Sequence, residues 1–209
     1  MRWRIDHLAV AAGSLAEGTA AVEAALGVRL ASGGSHALMA THNRLLAVGD
    51  LYLEVIAVDP GAVPPPHPRW FRLDQFTGAP RLTNWVAAVD DLEGALAVAP
   101  PGAGNAVALA RGDLRWRMGV PGDGGLPFDD AFPALIQWLG GGHPATRLPE
   151  AGVRLRRLTV VHPDADGLRA ALGGRVPDPR LVIEAGAVKA MRAEFETGHG
   201  VRGLEHFWG

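Results

Sequence analysis

The chain has 209 residues, enough for one sizeable domain or two small ones with a real buried core. With 48% hydrophobic and 20% charged residues and a net charge of −2, it carries neither the basic footprint of a nucleic-acid binder nor a polybasic membrane anchor. The absence of cysteine excludes disulfides, thiolate metal sites and a cysteine nucleophile, and leaves a small-molecule ligand as the expected partner.

At the N-terminus, Arg2 and Arg4 precede an apolar run that imitates a secretory leader, but Asp6, His7, Glu17 and Glu23 interrupt it. No stretch reaches the roughly 20 apolar residues of a membrane span. The expectation is a cytoplasmic protein with no membrane and no nucleic-acid partner.

In chain order, "RIDHLAV" reads as a strand and leads into a helix. Ser14 and Glu17 have the spacing of a capping box, in which side chains satisfy backbone N–H groups left free at the first turn. Gly27 stands where a left-handed helix end wants no Cβ. "VRLASG", "HNRLLAVG" and "LYLEVIAVD" follow as strands, punctuated by Gly33, Gly34, Gly49 and Asp50. The first unit, residues 5–59, is therefore β-α-β-β-β.

Residues 60–80, "PGAVPPPHPRWFRLDQFTGAP", begin too rich in proline for a regular element. Trp70, Phe71 and Phe76 in the later half have two readings: aromatics of a linker tucked under a sheet, or a lid over a pocket.

A second unit, residues 81–140, repeats the grammar: "LTNWVAAVDDLEGALAVA" with Asp90 and Glu93 at capping-box spacing, then "AVALARG", "LRWRMGVP" and "ALIQWLG". Alternation in "LRWRMGVP" favours Arg115 and Arg117 outward, with Trp116 and Met118 inward. A third begins at "LRRLTVVHPDADGLRAALGG", with "RLVIEAG" as its one clear later strand and "VKAMRAEFETG" a mixed strand or helix. The predicted fold class is α+β: tandem βαβββ modules forming a curled mixed sheet around a concave pocket, with a truncated third βα-type module at the C-terminus. Residues 1–148 hold the paired modules, and 149–209 pack on the same domain.

Strand alternation places His7 with Ile5 and Ala9, opposite Asp6, Leu8 and Val10. Likewise Tyr52, Glu54 and Ile56 oppose Leu51, Leu53 and Val55. A helix must cover the purely apolar sides, so His7, Tyr52 and Glu54 should face the concave side. A histidine and a carboxylate inside apolar runs are costly unless paired with each other or with a metal.

"DHLAVAAGSL", "THNRLLAVGDLYLEVIAVDP" and "PALIQWLGGGHPA" resemble the glyoxalase-like domain family of the vicinal oxygen chelate superfamily, over roughly residues 5–175. The resemblance implies a pocket between two modules, each giving one ligand from its first strand and one from its last. It implies a lyase, isomerase or dioxygenase type of enzyme, a divalent metal (Fe, Mn or Zn) and a homodimer. His7 and Glu54 match the first-module positions. Laying "RIDHLAV" over "LTNWVAA" puts Trp85 opposite His7, and "ALIQW" over "YLEVI" puts Gln137 near Glu54.

Tryptophan cannot ligate a metal and glutamine offers only a neutral amide oxygen. A metal would then be held by His7, Glu54 and Gln137. Without it, Glu54 would fix the imidazole tautomer while His7 serves as acid or base, with His42 as a further catalytic candidate. A paired polar couple with no chemistry is the third possibility. Trp85 reads first as a packing residue and, in register with His7, alternatively as an aromatic pocket floor, and Arg44, if it shares the concave face with His42, would neutralise a substrate carboxylate. Outward orientation would make both an ordinary solvated edge. His36 is a weaker pocket candidate, and His143 is first of all a turn residue with a reach to the pocket mouth as the alternative, whereas His67, His199 and His206 belong to loop or tail segments. The functional expectation is a small-molecule enzyme acting on an oxygen-bearing substrate around His7 and Glu54; the alternative is a non-catalytic binding or sequestering module.

Overall fold

The structure, a computed structural model, describes residues 1–140 and 142–207, with only the backbone of 206 and 207. Gly141 and the last two positions of the third unit lie outside the described residues, as does the side chain of His206.

The first module runs β1 (Arg4–Ala11), α1 (Leu15–Leu26), β2 (Ala31–His36), β3 (Thr41–Val48) and β4 (Leu51–Val58). The Ser14 hydroxyl accepts from the Glu17 N–H at 3.2 Å, and Gly27 ends the helix at φ 71°. The second runs β5 (Arg81–Ala88), α2 (Leu92–Val98), β6 (Asn105–Arg111), β7 (Leu114–Val120) and β8 (Ala134–Leu139). Its helix is capped by Asp91, which accepts from the Gly94 N–H, one residue later than the expected Asp90.

The two modules join into one eight-stranded sheet in the order β2-β3-β4-β1-β5-β8-β7-β6. β1 pairs parallel with β4 and antiparallel with β5, so the first strands of both modules meet at the centre. The sheet curls until Arg111 on edge strand β6 hydrogen-bonds Asn43 on β3 at 3.0 Å. The result is the curled α+β half-barrel expected from the repeat grammar.

The third unit departs from expectation in detail. β9 (Arg154–His162), α3 (Ala165–Leu172), β10 (Leu181–Ala185), β11 (Ala190–Thr197) and β12 (Gly200–Phe207) keep the element order of a module with four strands. Their order is β10-β9-β11-β12, so β10 pairs with the outer side of β9 and no second half-barrel forms. The "VKAMRAEFETG" stretch is strand, because alternating Met191, Ala193 and Phe195 bury one face against the main core.

Two apolar clusters sandwich the large sheet. The convex cluster joins Leu8, Val10, Leu53, Val55 and Trp85 to Leu158, Val160 and Phe195 of the third unit. The concave cluster holds Ala9, Ile56, Trp70, Phe71, Trp116 and Met118. No helix among the described residues is long and apolar enough to cross a membrane.

Candidate active site

A cavity opens on the concave face beside His7, Glu54, Tyr52, His36 and Arg111. It encloses about 350 Å³ of empty space including its mouth, yet only about 20 Å³ can hold the centre of a water molecule. That is room for one or two waters. Its apolar wall comes from Trp70, Phe71, Trp116 and Trp138. The segment 60–80 thus tucks its aromatics under the sheet and at the same time closes the cavity, anchored by the Arg69–Asp74 ion pair and by Arg69 Nε donating to the Ala40 carbonyl.

Strict alternation fails at Asp6. The β1–β5 register shifts between Ile5 and His7, a bulge that keeps Ile5 on the convex side with Leu8 while Asp6 turns to meet the His7 ring. Asp6 Oδ1 lies 2.6 Å from His7 Nδ1. Asp6 Oδ2 accepts from Trp138 Nε1 at 2.9 Å and contacts His143 Nε2 at 3.1 Å. Burial raises the proton affinity of the Asp6 carboxyl, but the hydrogen bonds from His143 and His7 outweigh it and hold the group well below the ordinary carboxylate range. An ionised carboxylate only accepts, so His7 carries its proton on Nδ1. His143 carries its own on Nε2, because its Nδ1 accepts from the Ala145 N–H.

His7 Nε2 stands 3.7 Å from Glu54 Oε2, too far for a hydrogen bond and close enough for charge attraction. Tyr52 stacks on the imidazole with ring centroids 4.3 Å apart, and burial pushes its phenol pKa well up, keeping it neutral. Asn43 donates to Glu54 Oε1 at 2.5 Å and accepts from Arg111 and from the Gly34 N–H. His36 Nδ1 bonds Thr41 Oγ1 while its Nε2 lies 3.4 Å from Asn43 Nδ2. Burial above all lowers its pKa to about 4, with the Arg111 charge adding to the effect.

Four expected residues stand elsewhere. His42 and Arg44 flank Asn43 on β3 and so face the opposite side; Arg44 reaches Ser32 on β2. Gln137 faces out and caps α2, donating to the Asp90 carbonyl at 2.7 Å and accepting from the Leu92 N–H at 3.4 Å. Trp85 is fully buried on the convex side, its indole N–H donated to the Ala131 carbonyl.

A one-residue frame explains Trp85. Both first strands are bulged, and starting each at its arginine, Arg4 with Arg81, sets Asn84 over His7 and Trp85 over Leu8. Glu54 pairs with Ala9 in the first module, and the corresponding pair in the second is Val86 with Ala134. The second module thus supplies neither a histidine nor a carboxylate at the matching positions. Among the described residues no three His, Asp or Glu side chains converge to hold a metal ion. The donor set present therefore does not fit the metal that the resemblance implies.

The match of the glyoxalase-like domain model over residues 5–175 of this double-module sheet decides the family. The chain belongs to the glyoxalase-like domain family. Its fold is one of paired βαβββ modules in a single curled sheet. A hypothetical protein from Staphylococcus aureus shares it at 14% identity and TM-score 0.61, over 90% of this chain and 88% of that one. Methylmalonyl-CoA epimerase from Mycobacterium tuberculosis aligns at 17% identity and TM-score 0.43, over 66% and 88% of the respective chains. A triple mutant of 4-hydroxymandelate synthase from Streptomyces coelicolor aligns at 14% identity and TM-score 0.48, over 99% of this chain and 63% of that one. No curated protein matches the chain.

Arg111, Asn43 and Asp6 were not singled out from the sequence. The first two come from strands far apart in the chain, and only the curl of the sheet unites them. For Asp6 a signal existed: a carboxylate beside a histidine in a strand whose two faces are otherwise apolar.

Proposed function

We propose that this glyoxalase-like protein is a small-molecule enzyme that moves a proton at a carbon next to a carbonyl, with His7 as the acid–base group. The observation that carries this reading is the Asp6–His7 hydrogen bond of 2.6 Å, made behind an imidazole that lines the cavity. Asp6 holds the proton on Nδ1, so Nε2 presents its lone pair. A substrate C–H proton passes to Nε2, and the imidazolium formed lies between the carboxylates of Asp6 and Glu54, which stabilise it. Return of that proton to another face or atom gives epimerisation or isomerisation. Tyr52, stacked on the ring, fixes the plane in which Nε2 acts. The cavity is too small for a substrate as it stands, so entry requires the 70–75 turn bearing Trp70 and Phe71 to shift.

The test is deuterium exchange in D₂O, followed by NMR, over a panel of 2-oxo acids, hydroxyketones and thioesters. At least one class should exchange its proton beside the carbonyl, and the rate should fall about 100-fold or more in His7→Gln. Equal exchange by both proteins would overturn the reading. A sequestering role is the second reading, favoured by the aromatic wall of Trp70, Trp116 and Trp138. It requires ligand-dependent tryptophan fluorescence with no exchange.

A further inference from the structure

We propose that the ligand of this cavity carries a carboxylate and that Arg111 receives it. The inference rests on reading the cavity as a ligand site, and goes beyond proton transfer by naming the substrate class as small organic acids with an apolar substituent.

Arg111 is the one arginine or lysine lining the cavity among the described residues. Its fixed cation has no carboxylate partner among them, and its one side-chain hydrogen bond runs from Nη1 to the neutral Asn43 Oδ1 at 3.0 Å. Every other acidic group near the cavity is already engaged. Asp6 is held by His7, Trp138 and His143, and Glu54 by Asn43 with His7 nearby. A guanidinium presents five N–H donors in a planar fork that matches a carboxylate with two parallel bonds. Here the fork is placed in advance. The stem packs over β2 at Gly34, where a Cβ would come within 2.9 Å of Arg111 Cδ.

Asn43 makes the arrangement directional. Arginine only donates and carboxylate only accepts, so the amide oxygen must face Arg111 and the amide nitrogen Glu54. One amide therefore separates the anion-receiving group from the carboxylate that flanks His7. A substrate acid on Arg111 would set its neighbouring carbon toward Glu54 and His7, with its apolar substituent against Trp116 and Trp138.

Benzoate and its neutral isostere benzamide test this, with binding read by quenching of the cavity tryptophans. Benzoate should bind the full-length protein at least ten times more tightly than benzamide. In Arg111→Gln the preference should vanish, while Arg111→Lys should keep part of it because the charge survives without the fork. Unchanged far-ultraviolet dichroism and thermal midpoint in both variants show that folding is intact. Equal or undetectable binding of the two probes by the native protein overturns the inference, as does a preference that persists in Arg111→Gln. Proton exchange without a benzoate preference defeats this inference alone. A benzoate preference without exchange defeats the catalytic reading alone.

Discussion

Asp6 and His7 are neighbours in sequence, yet both side chains enter the same network, joined Oδ1 to Nδ1 at 2.6 Å. In a regular strand they would point to opposite faces. The bulge between Ile5 and His7 turns Asp6 inward and leaves Ile5 packed beneath the sheet. One extra residue on β1 thus converts a lone buried histidine into an oriented one.

Replacing Asp6 by Asn should therefore lower any His7-dependent exchange rate by about 100-fold or more, because the amide cannot hold Nδ1–H as a carboxylate does. Its stability cost should depend on pH. The native carboxyl titrates well below its unfolded value, so the stabilisation is complete above about pH 4 and fades as acid is added. Urea unfolding of native protein and Asp6→Asn should differ clearly at pH 7, and the difference should begin to narrow only as pH falls below about 4.

His36 predicts a second, separate window. Its folded pKa of about 4 lies below the unfolded value near 6.5, so the unfolded chain binds the extra proton between them. Stability is full above the unfolded pKa and declines as pH falls toward 4, by at most about 3 kcal/mol. In His36→Gln the loss between pH 7 and pH 5 should be much smaller.

Much of the fold was legible because repeated local signals agree. Ser14 and Gly27 mark helix ends where the structure has them, and the apolar side of "LYLEVIAV" lies under α1, while that of "LAV" packs in the convex core shared with the third unit. What alternation cannot register is a bulge, and both first strands have one. That is why Asp6 was placed on the wrong face. The comparison of the two modules slipped by one residue, so Trp85 took the position of Asn84. For His42 and Arg44 alternation leaves two orientations, and the outward one holds because the polar residue that turns inward on β3 is the one between them, Asn43. Partners across the curl, such as Asn43 and Arg111, are 68 residues apart and leave no local trace.

Trp85 separates core from cavity experimentally. Trp85→Ala should cost about 3–5 kcal/mol through the void left against Leu8 and Phe132, and Trp85→Phe about 1–3 kcal/mol through the unpartnered Ala131 carbonyl. In Trp85→Phe, benzoate affinity per folded molecule should equal that of the native protein. A selective loss of ligand affinity at unchanged stability would return Trp85 to the pocket.

Gly33 gives the sharpest test of the Asn43 bridge. A Cβ there would stand 2.1 Å from Asn43 Oδ1 and 2.3 Å from the Asn43 carbonyl oxygen, closer than any side chain tolerates. Both atoms belong to the residue that accepts from Arg111 and the Gly34 N–H and donates to Glu54. Gly33→Ala must push Asn43 away, backbone and amide together, because one of the two clashing atoms is its main-chain carbonyl oxygen. Arg111 then loses its anchor and Glu54 its donor together. Benzoate binding and proton exchange should both fall in Gly33→Ala, by about tenfold each at the value of roughly 1–2 kcal/mol for one displaced hydrogen bond to a charged group. Asn43→Ala should reproduce both losses without the clash. If Gly33→Ala weakened neither measurement while Asn43→Ala weakened both, the close approach would be dispensable and the amide alone would set the distance between the cation and the imidazole.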